Sequence, residues 1–474
     1  MKQFFYTSLL TLFSFCAFSQ NSQFTGIWEG DLDAGVQKLR LVFTVSAAQT
    51  GVKLSMQSPQ QSAREMPADT AFISGNLLNM EMKKFRISFS GRLLNDSTIA
   101  GEFVQGAAFP LRLKKVEKAS LVTQPKRPQT PKPPFAYQSI DVSFINRDKS
   151  ATLAGTLTLP DTMAGKKFPA VILITGSGAQ DRDETMFGHK PFFVIADHLT
   201  KKGFAVLRID DRGTARSTGN HATATSADFA LDTESALDYL KQHASIDAKN
   251  IGLVGHSEGG QIAPMVAARR KDVKFIVLLA GPGIPIIDLM AGQNVAIFES
   301  NGLDTATAKL YAPLFKKLVR TIVVAKDSAA ALNNAINVLK EWEAPAMAKT
   351  LFKVSTDEEI KKFAKGMADG IYNPWFRYFI SYDPAPVLEK LSCAVLALNG
   401  SKDLQVLPAA NLAGIKNALQ KSKAKNYEVK EIPQLNHLFQ TCKRCGIDEY
   451  STLEESFSPL AMEIISNWIQ VQVK

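Results

Sequence analysis

Residues 255–260 have the types and spacing of a nucleophile elbow, with Ser257 at the centre of a G-x-S-x-G pattern. The apolar run 251–254 before it is typical of a buried strand, and residues 261–268 after it are typical of a helix. So tight a turn forces the serine into a strained backbone conformation, and glycine on each side avoids a collision with neighbouring elements. A lone pattern of this kind also fits a glycine-rich strand–helix turn, so other residues must decide.

A serine hydroxyl becomes a nucleophile when a histidine takes its proton and an acid orients that histidine. Of the six histidines, only His437 comes after Ser257. Asp403 lies between them, after the apolar strand 394–399 and a short turn, which gives the chain order serine, acid, histidine. Asp448 is a nearby acid, but it follows His437 and is out of order. Taken alone, His437 also fits a polar loop and Asp403 also fits a turn. Catalysis is favoured because the serine, the acid and the histidine all occur at the expected places.

An oxyanion hole needs two backbone N–H groups that face the developing negative charge. The sequence predicts one at Glu258, directly after the nucleophile, and one at Ser177, in the small-residue loop 176–178 that follows a predicted strand. A glycine loop could instead bind phosphate, but the Lys-Ser/Thr pair of a P-loop does not follow it. The chemistry indicated is acyl transfer, for which no metal and no organic cofactor are expected.

Alternating strands and helices over residues 137–474 would position these groups. Several apolar runs are typical of strands buried on both faces, and helical patterns lie between them, which predicts a largely parallel α/β sheet. The alternation stops at Gly281 and resumes about a hundred residues later. The helical patterns in this interval predict a cap at about 282–385. The apolar runs are 170–175, 205–210, 251–254, 275–280 and 394–399.

Residues 22–116 alternate polar and apolar types between glycine and Asn-Asp turns, which predicts a small β-barrel or β-sandwich. Trp28 is interpreted as an anchor of its core rather than a ligand-stacking residue. No combination of catalytic residue types occurs in this segment. The proline-rich residues in the stretch 117–136 predict an extended linker that separates the two domains.

Residues 1–20 have the pattern of a signal peptide, with a positive charge at Lys2 and an apolar run over 4–18. That run is short for a membrane-spanning helix. A lipoprotein anchored at Cys16 would need a small residue before it, where this chain has Phe15. We therefore expect a secreted or periplasmic protein that has no stable membrane anchor after cleavage.

The formal net charge of +10 is modest for 474 residues, and the one concentrated basic stretch is 126–132, so no nucleic-acid partner is expected. Removal of the signal leaves Cys393, Cys442 and Cys445. The C-x-x-C pair fits a local disulfide, half of a metal site or a redox motif. Without a second pair or a histidine cluster nearby, zinc is disfavoured and the disulfide is preferred. Cys393 opens an apolar strand and is predicted to be a buried thiol.

Several motifs together resemble a group of secreted bacterial α/β-hydrolases, which includes carboxylesterases of short acyl esters and is related to serine aminopeptidase-like hydrolases. The resemblance covers about 137–472 and implies an α/β-hydrolase fold with a helical cap insertion, preceded by a small all-β domain. It also implies a serine carboxylesterase with a small-molecule ester substrate. The chain departs from the group at Ala179, where proline is common, and at the C-x-x-C pair. The motifs are 175–184, 188–192, 210–213, 255–260, 399–406 and 436–440.

Four charged residues in these motifs are expected to form ion pairs that shape the site rather than to bind substrate directly. They are Asp181, Arg182, Asp211 and Arg212.

Two other functions remain open from the sequence. The same three side chains would serve an aminopeptidase or amidase if acidic cap residues, such as Glu299 or Glu341, held a substrate amine. A protein led by its β domain could instead bind carbohydrate or the cell envelope. Loss of any of the three catalytic residue types would favour that alternative, and all three are present.

Overall fold

A computed structural model describes residues 23–33, 38–48, 51–59, 62–85, 87–105, 107–118, 126–161 and 166–474. The chain divides into two compact units, one that ends at Pro125 and one that begins at Lys126. The predicted signal peptide, 1–20, lies outside the described residues. None of the helices within the described ranges is long and apolar enough to cross a membrane.

The first unit contains one antiparallel sheet of nine strands. The strands are β1 (Gly26–Asp33), β2 (Lys38–Ala47), β3 (Val52–Ser58), β4 (Ser62–Pro67), β5 (Thr70–Ser74), β6 (Leu77–Met82), β7 (Ile87–Asn95), β8 (Thr98–Gln105) and β9 (Ala107–Val116). Consecutive strands pair in turn except β4 and β5, which form the two edges of the sheet, and β1 also pairs with β9. Trp28 is fully buried and donates its indole N–H to Phe24 O at 2.7 Å, as a core anchor should.

The second unit is built on an eight-stranded sheet in the order β10-β11-β13-β12-β14-β15-β16-β17. These strands are β10 (Tyr137–Ile145), β11 (Thr152–Pro160), β12 (Phe168–Ile174), β13 (Ala205–Ile209), β14 (Ile246–His256), β15 (Phe275–Leu279), β16 (Ala394–Gly400) and β17 (Tyr427–Ile432). All neighbours from β13 to β17 are parallel, while β10 and β11 pair antiparallel. Parallel strands end at a common edge, so the loops after β12, β14, β16 and β17 meet there.

Helices cover both faces of this sheet, and each face has its own hydrophobic core. They are α1 (Pro191–Lys201), α2 (Ser226–Gln242), α3 (Glu258–Arg269), α4 (Ile286–Ser300), α5 (Thr305–Val323), α6 (Ser328–Lys340), α7 (Ala346–Leu351), α8 (Asp357–Ile371), α9 (Pro374–Ile380), α10 (Ala385–Leu388), α11 (Pro408–Gln420) and α12 (Pro459–Gln472). Helices α4 to α10 lie between β15 and β16 in the chain, the interval in which the cap is predicted. The predicted fold class, an α/β-hydrolase with a helical cap insertion behind a small all-β domain, is confirmed.

Residues from Lys126 onwards belong to the second unit, although the linker is predicted to extend to residue 136. Arg127 donates three hydrogen bonds of 2.6 to 2.8 Å to backbone carbonyls of Phe187 and of the loop 451–457. Gln129 makes three more bonds with the backbone of that loop, as donor and as acceptor. Residues 126–130, which we call the strap, are therefore fixed to the α/β unit. Proline content alone predicts an extended segment and does not show whether that segment is bound to a domain.

We predict that a truncated chain that starts at Lys126 unfolds at the same temperature as the α/β unit of the full chain. A chain that starts at Ala136 lacks the strap and should melt several degrees lower, because it loses six hydrogen bonds worth about 0.5 to 1.5 kcal/mol each. Thermal denaturation followed by circular dichroism measures the difference. Arg127→Ala in the longer chain should reproduce part of the loss, and identical melting of both truncated chains would contradict the strap's role.

Candidate active site

Ser257 lies at the turn between β14 and α3 with φ 52° and ψ −115°, a strained conformation for a residue with a side chain. Its N–H donates to Leu279 O at 2.8 Å, which ties the turn to β15. A Cβ on Gly255 would lie 2.0 Å from Gly259 O, and a Cβ on Gly259 would lie 2.1 Å from Ile174 O. The elbow therefore requires glycine at both positions because backbone fills the space of a side chain.

The side chains of Ser257, His437 and Asp403 form one chain of hydrogen bonds. His437 Nε2 lies 3.1 Å from Ser257 Oγ, and His437 Nδ1 lies 2.8 Å from Asp403 Oδ2. The other carboxylate oxygen accepts backbone N–H groups of Gln405 at 2.7 Å and of Val406 at 2.9 Å. The imidazole and the carboxylate are buried. The fold thus brings together, at the ends of β14, β16 and β17, the three residues that the sequence singled out.

The loop that carries His437 is shaped by the side chain of Asn436, which is fully buried. Asn436 Oδ1 accepts the backbone N–H groups of Leu438 and Gln440, each at 3.0 Å, and its amide donates to the Gln440 side chain. These local bonds close a tight turn that carries the imidazole.

Three acids that the sequence offered as alternatives lie elsewhere. Asp448 pairs with Arg444 at 2.8 Å on the surface. Glu341 is exposed and pairs with Lys317 at 3.1 Å, and Glu299 is exposed near the end of α4. None of the three is among the residues that line the cavity above the serine.

The two predicted oxyanion donors lie in the same cavity as Ser257. Glu258 is the first residue of α3, so its N–H has no carbonyl partner within the helix. Gly176 is not available as a donor, because its N–H already donates to Glu184 Oε1 at 2.7 Å. In the described part of the chain no acceptor is bonded to the N–H of Ser177 or of Glu258. Both groups are free to face a substrate oxygen.

The cavity above Ser257 has a volume of about 230 Å³. Its lining within the described residues contains no lysine and no arginine, and the two carboxyl groups that reach it, Glu184 and Glu258, are both hydrogen bonded within the protein. The cavity lining therefore contains no basic side chain of these two types, and neither carboxyl group lacks a hydrogen-bond partner. Its apolar wall consists of Met186, Pro282, Leu289, Met290, Trp375, Phe379, Val406 and Leu438, and its polar wall includes Gln180, Gln293 and Gln405.

The Glu258 side chain links the elbow to the cap. Its carboxyl accepts the Ser226 hydroxyl at 2.6 Å and the indole N–H of Trp375, in cap helix α9, at 2.9 Å. Burial raises the pKa of this carboxyl above its ordinary value. Trp375 stacks on Phe379 with ring centroids 5.2 Å apart, and both rings face the cavity. Sequence analysis missed this contact because it joins residues more than a hundred positions apart.

The two arginines expected in ion pairs do form them. Arg182 binds both oxygens of Asp210 at 3.0 and 2.7 Å, and Arg212 binds both oxygens of Asp232 at 2.6 and 2.7 Å. Such bidentate pairs fix the direction of both side chains. They hold the loops after β12 and β13 against the body of the domain.

Asp181 and Asp211 were expected in ion pairs too, and Asp211 does not form one. It accepts the Thr175 hydroxyl at 2.8 Å and the Gln180 N–H at 2.9 Å, both neutral donors. Burial raises its pKa to about 8, because no cation offsets the loss of water. Asp181 accepts two backbone N–H groups of its own loop. The two arginines instead pair with Asp210 and Asp232, which the expectation did not name.

Cys442 and Cys445 form a disulfide, as predicted. Within the same loop the Glu449 carboxylate accepts backbone N–H groups from residues 443–445 at 2.8 to 3.3 Å. Cys393 was predicted to be buried but is only partly so, because it precedes β16 rather than lying within it. Its surroundings still raise the pKa of the thiol to about 11 through burial.

Glu184 and His256 also belong to the site, and the sequence analysis gave them no role. His256 Nδ1 lies 2.9 Å from Glu184 Oε1, and its Nε2 lies 3.0 Å from the backbone oxygen of His437. Both side chains are almost fully buried. Glu184 ends the motif 175–184 after β12, and its charge in that loop could have marked it as a candidate. Nothing in the sequence connects it to His256.

Comparison with known proteins gives matches that lie mainly in the second unit. Residues 190–368 match the family model of serine aminopeptidase, S33. This stretch includes Ser257 and ends before Asp403 and His437. Esterase EstD of Thermotoga maritima is 25% identical over 297 residues, which are 62% of this chain and 60% of that protein. Dipeptidyl peptidase 8 of Mus musculus is 28% identical over 156 residues, 32% of this chain and 17% of that protein.

Solved structures give similar matches at lower identity. The structure of Est1E from Butyrivibrio proteoclasticus with bound ferulic acid has a TM-score of 0.43 and 18% identity, and the match covers 70% of this chain and 99% of that one. An esterase structure from Pyrococcus furiosus has a TM-score of 0.43 and 13% identity, over 72% and 92% of the two chains.

We predict that Gly259→Ala destabilises the protein by at least about 2 kcal/mol, because the added Cβ would have to displace the carbonyl of Ile174. Gly366→Ala is a matched control, since it lies in helix α8 with no atom within 4 Å of its added Cβ. That change should stabilise by up to about 1 kcal/mol. Urea denaturation of both variants measures the two effects, and equal midpoints for Gly259→Ala and the wild type would refute the close approach.

Proposed function

We propose that this chain, which is an α/β-hydrolase of the serine aminopeptidase-like group as its motifs predicted, hydrolyses carboxylic esters through an acyl-enzyme intermediate. The observation that carries the proposal is the hydrogen-bond chain from Asp403 through His437 to Ser257, in a cavity whose two carboxyl groups are already hydrogen bonded within the protein. A serine so connected has the base that it needs to attack a carbonyl carbon.

Each group has a definite part in the proposed reaction. Ser257 Oγ attacks the ester carbonyl while His437 Nε2 takes its proton, and Asp403 holds the Nδ1–H and stabilises the imidazolium. The N–H groups of Ser177 and Glu258 donate to the oxyanion. His437 then protonates the leaving alcohol, and the acyl group stays on the serine. A water molecule, deprotonated by the same imidazole, releases the acid and restores the serine.

The charge of the cavity favours an ester over a peptide with a free amino group. An aminopeptidase needs an unpaired carboxylate to hold the substrate ammonium group. Glu299 and Glu341 are outside the cavity lining, Glu184 is paired with His256, and Glu258 is occupied by neutral donors. The similarity to an esterase supports the same choice. A peptidase is the second candidate, because the matching family model describes a serine aminopeptidase and one relative is a dipeptidyl peptidase.

The size of the cavity supports a small substrate. Its volume of about 230 Å³ lies below the roughly 300 to 1,000 Å³ typical of sites for drug-sized ligands. The apolar rings and aliphatic side chains along one wall fit a hydrocarbon acyl group, and the glutamines on the other wall can bond to an ester or alcohol oxygen. We therefore propose short acyl esters as the substrate class.

Hydrolysis of p-nitrophenyl esters from acetyl to dodecanoyl, and of aminoacyl p-nitroanilides, tests the proposal directly. We expect kcat/KM to be highest for the shorter acyl chains and cleavage of anilides to be slower by orders of magnitude. Ser257→Ala should lower kcat on the order of 10⁴-fold or more, because the three residues act as a unit. A serine variant that keeps a tenth of wild-type activity, or a preference for the anilides, would overturn the assignment.

Asp403→Asn should lower kcat by roughly 10²- to 10⁴-fold with little change in KM. The amide keeps the size of the side chain, but it cannot serve as the charged acceptor that fixes the tautomer of His437. Asp448→Asn is the matched control, because Asp448 is half exposed and bonds to Arg444. Steady-state kinetics on one ester compare the two variants. If Asp448→Asn lowers kcat strongly and Asp403→Asn has little effect, Asp403 is not the catalytic acid.

A further inference from the structure

His256 lies directly before Ser257, and both of its ring nitrogens face acceptors. Nδ1 is 2.9 Å from a carboxylate oxygen of Glu184, and Nε2 is 3.0 Å from the backbone oxygen of His437. A neutral imidazole carries a single N–H and could donate to only one of them. Two hydrogen bonds to two acceptors require the doubly protonated, positively charged ring.

The charge of that ring has a partner. Glu184 is 2% exposed, and its Oε1 accepts the Gly176 N–H at 2.7 Å as well as the imidazole. A buried cation without an anion would be strongly disfavoured. Burial by itself lowers the pKa of His256, but the Glu184 carboxylate and the two hydrogen bonds outweigh it and raise the pKa above its ordinary value.

Three parts of the proposed catalytic machinery meet at this pair. His256 is continuous with the elbow, Glu184 holds the loop 176–178 through Gly176, and the imidazole holds the backbone of His437. The rings of His256 and His437 are 4.9 Å apart between centroids. We propose that the His256–Glu184 ion pair is a positioning unit that keeps the nucleophile, the oxyanion loop and the catalytic base in one arrangement. This inference rests on the proposed function.

The pair should make activity fall at alkaline pH. The titratable and charged groups around His256 are Glu184, Asp403 and His437, and Asp211 lies close enough to Glu184 for their charges to interact. Because the pKa of His256 is raised in the folded protein, the pair's contribution is complete below the ordinary histidine pKa and is lost as pH rises through the folded-state value. Above that pH one imidazole N–H disappears, so His256 loses its hydrogen bond either to Glu184, which holds the oxyanion loop, or to the backbone of His437.

A spectroscopic test does not depend on activity. With selective ¹⁵N labelling of the histidine ring nitrogens, one histidine should show both nitrogens protonated at pH 7, and His256→Gln should remove that signal. Glu184→Gln should shift the loss of the second proton to lower pH. If His256 of the wild type is not doubly protonated at pH 7, the inference is wrong, whatever the enzyme assays show.

The kinetic test uses Glu184→Gln, because glutamine keeps the size and the acceptor oxygen but removes the charge. We expect kcat to fall roughly 10- to 100-fold at pH 8, KM to change by less than about threefold, and the alkaline limb of the kcat profile to move to lower pH. Glu234→Gln is the matched control: Glu234 is equally buried and pairs with Arg147 and Arg269 away from the site.

The control should lower the unfolding temperature and leave the pH profile of kcat unchanged. If Glu184→Gln also lowers the unfolding temperature without moving the alkaline limb, the pair is structural only and the inference fails. If no substrate is turned over by the wild type, the proposed function fails, while the labelling experiment still decides whether the charged pair exists.

Discussion

The close approach of three backbone segments at the elbow is the constraint on which the site depends. The backbones of Gly255, Gly259 and Ile174 approach so closely that a Cβ on either glycine would overlap a carbonyl oxygen. This approach accompanies the strained turn at Ser257 between β14 and α3. The same approach brings the loop after β12 beside the nucleophile. Once the parallel sheet fixes which strand ends are neighbours, the loops after β16 and β17 have only one edge at which they can supply an acid and a base.

The site buries several ionisable groups and neutralises each by a different means. Asp403 accepts two backbone N–H groups and lies 2.8 Å from Nδ1 of His437, while Glu184 lies 2.9 Å from Nδ1 of His256. Burial raises the pKa of Asp211 to about 8 and also raises the pKa of Glu258. Each of these carboxyl groups is thus engaged by donors of the protein itself. In the proposed reaction, a substrate that develops negative charge would meet N–H donors and no carboxylate that lacks a hydrogen-bond partner.

Sequence could predict those parts of the site that follow from local pattern and chain order. The elbow, the buried strands and the placement of Asp403 and His437 relative to Ser257 are of this kind. The His256–Glu184 pair, the strap at 126–130 and the partner of Trp375 could not be predicted, since each joins residues 72 to more than 300 positions apart. Their residue types are ordinary for loops and helices, and only the tertiary fold gives them partners.

Glu258 connects the cap to the proposed catalytic centre. Glu258 offers its N–H towards the proposed oxyanion and its carboxyl to the indole of Trp375, so one residue touches both the reacting centre and the cap. If α9 moved away, the buried carboxyl would lose a donor and Trp375 would leave the cavity wall. The first change would leave a buried carboxyl group with one hydrogen bond fewer, and the second would expose an apolar ring to water, so both are unfavourable. The position of α9 and the shape of the cavity are therefore coupled, and under the proposed function one helix would both limit the acyl group and steady the residue that supplies an oxyanion donor.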